Sequence, residues 1–505
     1  MFFVYALIAL FLLNHWWFKD KVKLYEAFKT DVRAWPIVGH GLWFMGTNED
    51  RMYAFKMCGE VALKNGGIAS FWLAQNLYLV IADPAIAELI LKTTAEKNDI
   101  VRFTRILIGN GIIFAPAAIW RSRRKNMAPT FSQRNLNVFV DIFSKQSRIL
   151  ADRLKEVAGK GDFPIWRYIT CYTMDSVCES ALGFQMKSQS NPDQPFFHAF
   201  EKCCQLVVDR MVQPWLYSPL IYKLTPYHSE FMKNVNYVQT FVKKMIAAKR
   251  EELARKIDKV DTNNNEGPTN DLKPFLELLI ESSGKEKGYT DIELLEETLV
   301  LVLGGTDTSA VSICYTTLML AKHPDVQEKV YQEIFEVFGD SDRPMTHEDI
   351  PRLKYLAAVI RETLRLYPPV PILIPGLDRN ITLPSGITVP SDTGIVINIL
   401  AMHHDPKHWG EDVEEFKPER FIDAKPNPAF MAFSAGLRSC IGYRYSMMSI
   451  TTVISTLIRR YRILPATCTR NGIPLRLKYE VMMKDADNFQ IQLEPRKELH
   501  PIVSQ

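Results

Sequence analysis

FSAGLRSCIG, at residues 433–442, is the stretch that decides the fold, and it places one cysteine, Cys440, in a glycine-bearing turn at the start of a predicted helix. A helix N-terminus and a nearby cation such as Arg438 both lower the pKa of a thiol, so the sequence predicts that Cys440 favours the thiolate. Gly436 and Gly442 would let the backbone approach a flat cofactor closely. On these residues alone, Cys440 could be a nucleophile, a redox centre or a metal ligand.

The spacing of this stretch decides between those alternatives. It matches the pattern F-x-x-G-x-R-x-C-x-G at every fixed position. Three further motifs lie elsewhere in the chain, in the order GGTDT at 304–308, ETLR at 362–365 and PERF at 418–421. Together with the W-x-x-x-R of Trp120 and Arg124, they resemble the cytochrome P450 family, and the resemblance extends from the N-terminus to the C-terminus.

Within that family, DSVCE at 175–179 and the C-I-G around Cys440 are most similar to the animal fatty-acid-hydroxylase clan, including its insect members. The resemblance implies a haem-thiolate monooxygenase that carries haem b and uses Cys440 as the axial iron ligand. Thiolate ligation pushes electron density onto the iron and favours cleavage of the O–O bond. Such an enzyme inserts one atom of O2 into an apolar substrate. Its electrons would come from an NADPH–cytochrome reductase, with cytochrome b5 as a second donor, because the chain shows no flavin or dinucleotide domain.

The resemblance also assigns roles to three groups of residues. Asp307 and Thr308 would deliver protons to bound dioxygen, since a hydroxyl beside a carboxylate can carry them. Glu362 and Arg365 lie three residues apart on a predicted helix, so they share a face, and with Arg420 they would form a buried network that supports the cysteine loop. The remaining residues would contact the haem, and three of them, Trp120, Arg124 and Arg438, would hold its propionates. The full set of haem contacts is Trp120, Arg124, Gly305, Phe433, Gly436, Arg438 and Gly442.

Three positions depart from the family pattern, and one of them is Ser449, which stands where the clan often has a glutamate. The clan often has a glutamate where this chain has Gly304, and that glutamate can form an ester with the haem. Gly304 has no side chain, and Glu296 and Glu297 lie about two helical turns upstream, too far to substitute, so we predict a non-covalent haem. The family often has a propionate-binding arginine where this chain has Pro375, and Arg379 is then the nearest substitute in sequence.

A basic run at residues 121–125 contains Arg121, Arg123, Arg124 and Lys125. Such a run is usually a solvated helix face. The resemblance suggests instead that, apart from Arg124, these cations lie on the proximal side of the haem and meet an acidic reductase.

The N-terminus is predicted to be a membrane anchor. Residues 2–18 contain no Asp, Glu, Lys or Arg, and lysines follow at 19, 21 and 23. An apolar run near the ~20 residues needed to cross a bilayer, followed by lysines, places the lysine side in the cytosol. The alternative is a buried N-terminal helix of a soluble protein. We expect an anchor at 1–20, a linker and hinge at 21–40, and one haem-thiolate catalytic domain at 41–505 on the cytosolic side of the endoplasmic reticulum membrane.

Composition and pattern favour a mainly α fold with small β-sheets, of the α+β class. The chain has 505 residues, 47% of them hydrophobic, which is enough for a large core, and its formal net charge of +4 does not indicate a nucleic-acid partner. Thr290 and Glu293 form a capping box that opens a long helix, which runs to about Lys322 and is broken by Pro324. Apolar strands are expected near 68–82, and the polar segment 256–273 reads as an exposed loop.

Two other functions fit the same motifs. One is a haem-thiolate isomerase or dehydratase, which rearranges a peroxide without O2, although such enzymes tend to lose the acid–threonine pair that this chain keeps. The other is a non-catalytic haem binder or sensor. The predicted access segments, 100–114, 204–221, 371–377 and 481–488, are largely apolar, which suits lipids, hormones, terpenoids and xenobiotics equally.

Overall fold

The computed structural model describes residues 19–262, 273–283, 288–469 and 473–496. Residues 1–18, which hold nearly all of the predicted anchor, lie outside the described residues. A helix over residues 19–27, α1, follows them. It packs on the protein, since Leu24 is buried and Lys21 pairs with Asp392 at 2.8 Å. Part of the predicted linker is therefore attached to the catalytic domain.

Most of the described chain is helical, as predicted. After α1 the helices are α2 (Asn48–Lys64), α3 (Pro84–Thr93), α4 (Arg102–Ile108), α5 (Ala117–Met127), α6 (Gln133–Leu154), α7 (Trp166–Ser180), α8 (Pro195–Val212), α9 (Pro219–Lys223), α10 (Pro226–Thr262), α11 (Phe275–Ser282), α12 (Asp291–Lys322), α13 (Pro324–Phe338), α14 (Lys354–Leu366), α15 (Ile399–His403), α16 (Pro406–Trp409) and α17 (Tyr443–Arg460).

The strands form small sheets, which confirms the predicted fold class. They are β1 (Ile68–Leu73), β2 (Asn76–Ile81), β3 (Phe163–Pro164), β4 (Ile372–Leu373), β5 (Ile381–Thr382), β6 (Thr388–Val389), β7 (Gly394–Asn398), β8 (Tyr461–Pro465), β9 (Leu477–Glu480), β10 (Met482–Asp485) and β11 (Gln490–Pro495). The largest sheet has the order β1-β2-β7-β4, with β2 and β7 parallel and the other pairs antiparallel. The other sheets are β3-β11-β8, β10-β9 and β5-β6.

Helix α12 is the central element of the core. It begins with the predicted capping box, in which Thr290 N donates to Glu293 Oε2 at 2.9 Å and Glu293 N donates to Thr290 Oγ1 at 3.3 Å. It is the one helix among the described ranges that is long and apolar enough to cross a membrane, but 83% of its most apolar window is buried inside the protein. A helix that is apolar on all sides belongs in a core. Helices α7 and α17 and strand β8 pack directly against it.

The prediction of an exposed loop from residue 256 was wrong at its start. Helix α10 continues to Thr262, and residues 263–272 lie outside the described residues. Charged residues without apolar partners can still continue a helix when they pair at a spacing of four, as Arg255 does with Glu251 at 3.2 Å and Lys256 does with Glu252 at 2.7 Å.

Candidate active site

The cysteine loop lies immediately before α17, whose first residue is Tyr443. The backbone N–H of Cys440 donates to the carbonyl oxygen of Phe433 at 3.0 Å, which closes the loop. The Phe433 ring packs edge-on against Tyr443 with 4.5 Å between centroids. The phenylalanine is therefore held beside the residues that follow the cysteine.

The sulfur of Cys440 lies in a recess. The side chain is accessible to solvent, yet protein surrounds it closely enough for burial to raise the pKa of its thiol. The backbone N–H of Gly442 and the charge of Arg124 both lower that pKa, where the sequence had predicted a helix start and Arg438, but burial outweighs them. The prediction that local sequence alone favours the thiolate was therefore wrong, and the thiolate needs a metal ion to displace its proton.

The glycines near this loop serve packing more than the sequence suggested. Gly436 has φ +66°, and a Cβ there would lie 2.1 Å from the carbonyl oxygen of Leu91 on α3. A Cβ at Gly305 would lie 2.9 Å from Val177 on α7. For a Cβ added at Gly442, the nearest atom outside the two adjoining residues is the Cys440 sulfur, at 3.9 Å. Gly436 and Gly305 thus permit contacts within the protein, while Gly442 leaves space beside the sulfur.

Three side chains predicted to hold propionates lie close to the cysteine loop. Arg438 lies over the Trp120 ring, with 4.6 Å from its guanidinium carbon to the centroid. It also donates to the carbonyl oxygens of Ala95 at 2.8 Å and Ile112 at 3.1 Å. Arg124 donates to the carbonyl oxygen of Ser439 at 3.0 Å. The fold therefore brings the Trp120 indole and the Arg124 guanidinium of α5 to the loop that carries Arg438.

Glu362 and Arg365 form a fully buried ion pair on α14. The guanidinium donates to both carboxylate oxygens, from Nε at 2.7 Å and from Nη2 at 2.8 Å. Glu362 also accepts from the backbone N–H of Lys417 at 2.9 Å. Arg420 lies farther away, with its Nε 3.5 Å from Glu362, and its close ionic partner is Asp412 at 2.7 Å. The predicted network is present, with Arg420 at its edge.

His403 joins this network to the cysteine loop, and no sequence motif marks it. Burial lowers the pKa of His403 to about 3, so the imidazole is neutral. Its Nδ1 donates to the carbonyl oxygen of Arg365 at 2.9 Å, and its Nε2 accepts from the backbone N–H of Met431 at 2.9 Å. Met431 lies two residues before Phe433. The buried ion pair thus fixes the start of the loop through one histidine tautomer.

Asp307 and Thr308 lie midway along α12 but differ in their surroundings. Thr308 is partly exposed, and its hydroxyl donates to the carbonyl oxygen of Gly304 at 2.7 Å. Asp307 is buried and pairs with Lys484 on β10 at 3.0 Å. Burial raises the pKa of Asp307, while the Lys484 ammonium opposes that shift. The sequence had not indicated Lys484, which stands between Met483 and Asp485 in β10.

The comparisons with known proteins agree with this geometry. The family model described as "Cytochrome P450" matches residues 31–492 of the chain.

The chain belongs to the cytochrome P450 family.

Its relatives include cytochrome P450 4V2 of Mus musculus, which is 30% identical over 93% of this chain and 90% of its own length. Cytochrome P450 4c21 of Blattella germanica is 29% identical over 91% of this chain and 92% of its own length. Probable cytochrome P450 4d20 of Drosophila melanogaster is 28% identical over 97% of this chain and 98% of its own length. The predicted family, and its animal and insect clan, are confirmed. The protein is a haem-thiolate monooxygenase, and its cofactor is haem b, bound non-covalently through a cysteine thiolate.

The residues of this P450 fit that cofactor. Burial lowers the pKa of Arg438 to about 10, and the charges of Arg105 and Arg124 act in the same direction. The nearby carboxylate of Glu96 opposes this shift. Several clustered cations with a single acidic neighbour are short of negative charge, and the two propionates of a haem would supply it. The accessible sulfur of Cys440 lies beside Arg124 in the same cluster.

Lys97, which no sequence motif indicated, lies beside Pro375, the position that lacks the expected arginine. Its backbone bridges to Pro375, and burial, followed by the charge of Arg438, lowers the pKa of its ammonium to about 8. Arg379, the substitute that the sequence suggested, is exposed, and it donates to the carbonyl oxygen of Thr93 at 3.2 Å and pairs loosely with Asp378. Lys97 is therefore the better partner for a propionate on this side of the P450.

The prediction for Arg123 was wrong. Its side chain is buried and its Nη1 pairs with Glu297 at 3.0 Å and Glu296 at 2.9 Å, so it cannot meet a reductase. The two glutamates also accept from the backbone N–H groups of Asn110 at 2.9 Å and Ile112 at 3.3 Å. This cluster fastens residues 109–112 to α12. Only the exposed members of the basic run are available to a partner.

Three of the four predicted access segments meet in one apolar cluster of this P450. Ile100, Val101 and Phe103 form its buried part. Met211 and Tyr217 from the second segment, and Ile374 from the third, pack against it. Val481 of the fourth segment packs instead against two larger apolar clusters. One is formed mainly by α8, α10 and α12, and the other by the sheet of β1, β2 and β7 with its neighbours.

Proposed function

We propose that this P450 inserts one atom of O2 into an apolar substrate with two electrons from NADPH, delivered by a flavin-containing reductase. The other oxygen atom becomes water, so each turnover converts substrate, O2, NADPH and one proton into hydroxylated product, water and NADP⁺. The observation that carries the proposal is the pair of Asp307 and Thr308 on α12, with Asp307 kept beside a buried cation. An enzyme that only rearranges a peroxide needs no such proton supply.

We assign separate roles to the residues that would hold the haem and to those that would supply protons. When bound, haem supplies the activation of O2, and Cys440 is the thiolate that holds its iron. Thr308 offers a hydroxyl at the accessible side of α12, and Asp307 behind it holds the next proton. We assign the propionates to Trp120, Arg124 and Arg438, with Lys97 as an added partner.

The other predicted residues act on the position of the cysteine. Phe433 closes the loop by accepting from Cys440 N, and Gly436 lets that loop approach α3. Gly442 keeps the space beside the sulfur open, and Gly305 sets the approach of α7 to α12. The ion pair of Glu362 and Arg365, with Arg420 at its edge, holds the cysteine loop in place. It acts through His403, which accepts from the backbone N–H of Met431.

An apolar substrate is supported by the access cluster. Its side chains are aliphatic and aromatic, and a pocket lined by such groups binds ligands mainly through the burial of apolar surface. Lipids, hormones, terpenoids and xenobiotics all meet this requirement. Spectral titration of the purified protein against a panel of these compounds would rank the classes directly.

Membrane association is supported by exposed apolar side chains as well as by the N-terminal sequence. Leu220 on α9 is 76% exposed, Leu224 just after it is 88% exposed, and Ile37 before β1 is 92% exposed. Leu220 and Leu224 lie four residues apart, so both are available to contact lipid from the region of α9. We propose an anchor at 1–20 and a catalytic domain from 41 onward on the cytosolic face of the endoplasmic reticulum. A variant lacking residues 1–18 should keep its haem and bind vesicles more weakly, and Leu220→Ser with Leu224→Ser should weaken the remaining binding.

The reductase surface is supported by the exposed cations of α5. Arg121 and Lys125 face solvent on the helix that also carries Arg124, which lies beside Cys440. Arg444, just after the cysteine loop, is exposed as well. A basic surface next to the iron ligand suits an acidic electron donor, either the reductase or cytochrome b5.

Reconstitution tests the function. The full-length protein is mixed with an NADPH-dependent reductase, a candidate substrate and ¹⁸O2, and product is analysed by mass spectrometry. One labelled oxygen per product, with NADPH and O2 consumed, supports the proposal. Conversion of an organic peroxide without NADPH would identify an isomerase or dehydratase, and haem binding without turnover would identify a sensor. Cys440→Ala, which should lose the red-shifted ferrous–CO band of thiolate ligation, is the control for the ligand.

A further inference from the structure

Helix α12 is buried along most of its length and opens at one short patch. Among residues 294–321, all of which the structure describes, three are not buried, namely Gly304, Gly305 and Thr308. The Thr308 hydroxyl donates to the carbonyl oxygen of Gly304 at 2.7 Å, so these two residues belong to one helical turn. A side chain that borders this open turn limits what can approach it.

Ile113, which lies between α4 and α5, borders the open turn. A Cβ added at Gly304 would lie 3.0 Å from Cδ1 of Ile113, so the end of the isoleucine side chain lies directly beside the glycine. Ile113 is 38% exposed, whereas the preceding Ile112 is buried. An aliphatic side chain that is partly open, and that lies against the accessible turn of α12, is placed to contact a ligand there.

The backbone around Ile113 is held on both sides. The carbonyl oxygen of Ile112 accepts from Arg438 at 3.1 Å, and the carbonyl oxygen of Phe114 accepts from Arg105 at 2.9 Å. Isoleucine is also restricted in χ1, because it branches at Cβ. Ile113 therefore forms a wall of fixed shape at the open turn.

We propose that Ile113 determines specificity at this turn by limiting the width of the group that reaches Thr308. A narrow part of an apolar substrate is then oxidised in preference to a branched or cyclic part. The inference rests on the proposed function, which assigns the O2 chemistry to this turn. Gly304 makes the arrangement possible, since a larger side chain there would need the space that Ile113 occupies.

The first test measures binding to the full-length ferric holoenzyme, without reductase or NADPH. The probes are imidazole and 4-phenylimidazole, because both bind haem iron through nitrogen with a spectral shift, and only the second brings a ring to the same place. One methylene in an apolar pocket changes discrimination by roughly 10–200-fold. Ile113→Ala removes more than one carbon, so the affinity for 4-phenylimidazole relative to imidazole should rise about tenfold or more.

Two milder or opposite changes and one control accompany this variant. Ile113→Val should raise the same ratio by less, and Ile113→Phe should lower it. Ile149→Ala on α6 is the matched control, because it removes an isoleucine of similar exposure, 37%, and should leave the ratio unchanged. The red-shifted ferrous–CO band verifies that each variant keeps thiolate-ligated haem.

A substitution at Gly304 tests the contact itself. The Cβ of Gly304→Ala would push Ile113 into the open space, so the binding ratio should fall. In Gly304→Ala combined with Ile113→Ala there is no large side chain to push, and this fall should largely disappear. Equal effects of Gly304→Ala in both backgrounds would show that the two side chains do not meet.

Turnover with reductase and NADPH supplies the second readout. For a substrate found in the panel, Ile113→Ala should raise oxidation at branched or ring carbons, relative to narrow positions, by about tenfold or more. Unchanged ratios of binding in both Ile113→Ala and Ile113→Phe, or an equal change in Ile149→Ala, would overturn the role of Ile113 even in an active enzyme. A wild type whose binding ratio depends on residue 113, but which makes no oxygenated product from NADPH and O2, would overturn the proposed function instead.

Discussion

Replacing Glu362 by alanine should be among the most damaging single changes in this P450 outside the cysteine itself. The carboxylate accepts two hydrogen bonds from Arg365 and one from the backbone of Lys417. Both members of the ion pair are 0% exposed, so no solvent can replace the lost carboxylate.

The magnitude follows from that burial. Breaking a buried pair by removing one partner costs about 3–5 kcal/mol, because the remaining charge stays in a medium of low polarity. The two carbonyl oxygens that also accept from Arg365, those of His403 and Glu415, compensate only in part, since they are dipoles and carry no full charge. The damage should reach the cysteine through the bond from Arg365 to His403.

The assay follows the ferrous–CO band of thiolate-ligated haem during urea titration. Glu362→Ala should shift the midpoint of band loss to much lower urea or yield protein without haem. Glu251→Ala is the matched control, because it removes another helical glutamate–arginine pair, with Arg255, whose side chains are 70% and 74% exposed. Exposed pairs of this kind contribute about 0.3–0.5 kcal/mol, so this variant should behave as the wild type.

A double variant shows whether the unpaired charge is the cause. Glu362→Ala with Arg365→Met removes both charges, and it should retain more haem than Glu362→Ala alone. If the single variant incorporates haem normally, or if the double variant is equally unstable, the reasoning from the unpaired guanidinium is refuted.

Four further expectations concern the haem site and its surroundings. Thr308→Ala should keep haem and substrate binding but divert electrons to peroxide, and unchanged product per NADPH would speak against a role for this hydroxyl. Lys97→Met should speed the loss of haem to an apo-globin acceptor whereas Arg379→Met should not, and equal rates would remove Lys97 from the propionate site. Acidic organic extraction should release intact haem, because Gly304 offers no carboxylate for an ester, and a porphyrin adduct in the protein's mass would contradict this. Burial raises the pKa of Glu297 from 4.5 to about 7, so the folded chain binds more protons than the unfolded chain between these values, and stability should fall as pH rises through about 7. Glu297→Gln should flatten that dependence in thermal unfolding measured across the range, and an unaltered slope would assign it to another group.

Features encoded within a few residues could be predicted from the sequence. The capping box of Thr290, the stop at Pro324 and the pairing of Glu362 with Arg365 depend on neighbours along one helix, and the structure has all of them. The motif around Cys440 predicts the iron ligand for the same reason.

Features that depend on distant partners could not be predicted in this way. His403 and Lys484 acquire their roles from groups on other elements, so no local pattern marks them. Arg123 is different, because Trp120, Arg123 and Met127 share one helix face by their spacing, and that face is buried. Helical periodicity could therefore have separated Arg123 from its exposed neighbours, although its partner Glu297 lies 174 residues away.

The attachment of residues 109–112 to α12 limits how this P450 can open for its substrate. Release of that segment would leave Glu296 and Glu297 without their backbone donors and expose a buried arginine. Helix α4 just before it is held by neutral hydrogen bonds from Gln239 of α10 to the carbonyl oxygens of Ile106 at 3.3 Å and Leu107 at 2.9 Å. It ends at Ile108 and is followed by Gly109, whose φ of +59° suits a glycine pivot. We therefore expect entry to depend on α4 swinging about Gly109 while residues 109–112 stay in place. Relatives that accept bulkier molecules should then differ mainly along α4 and keep the glutamates that anchor its far end.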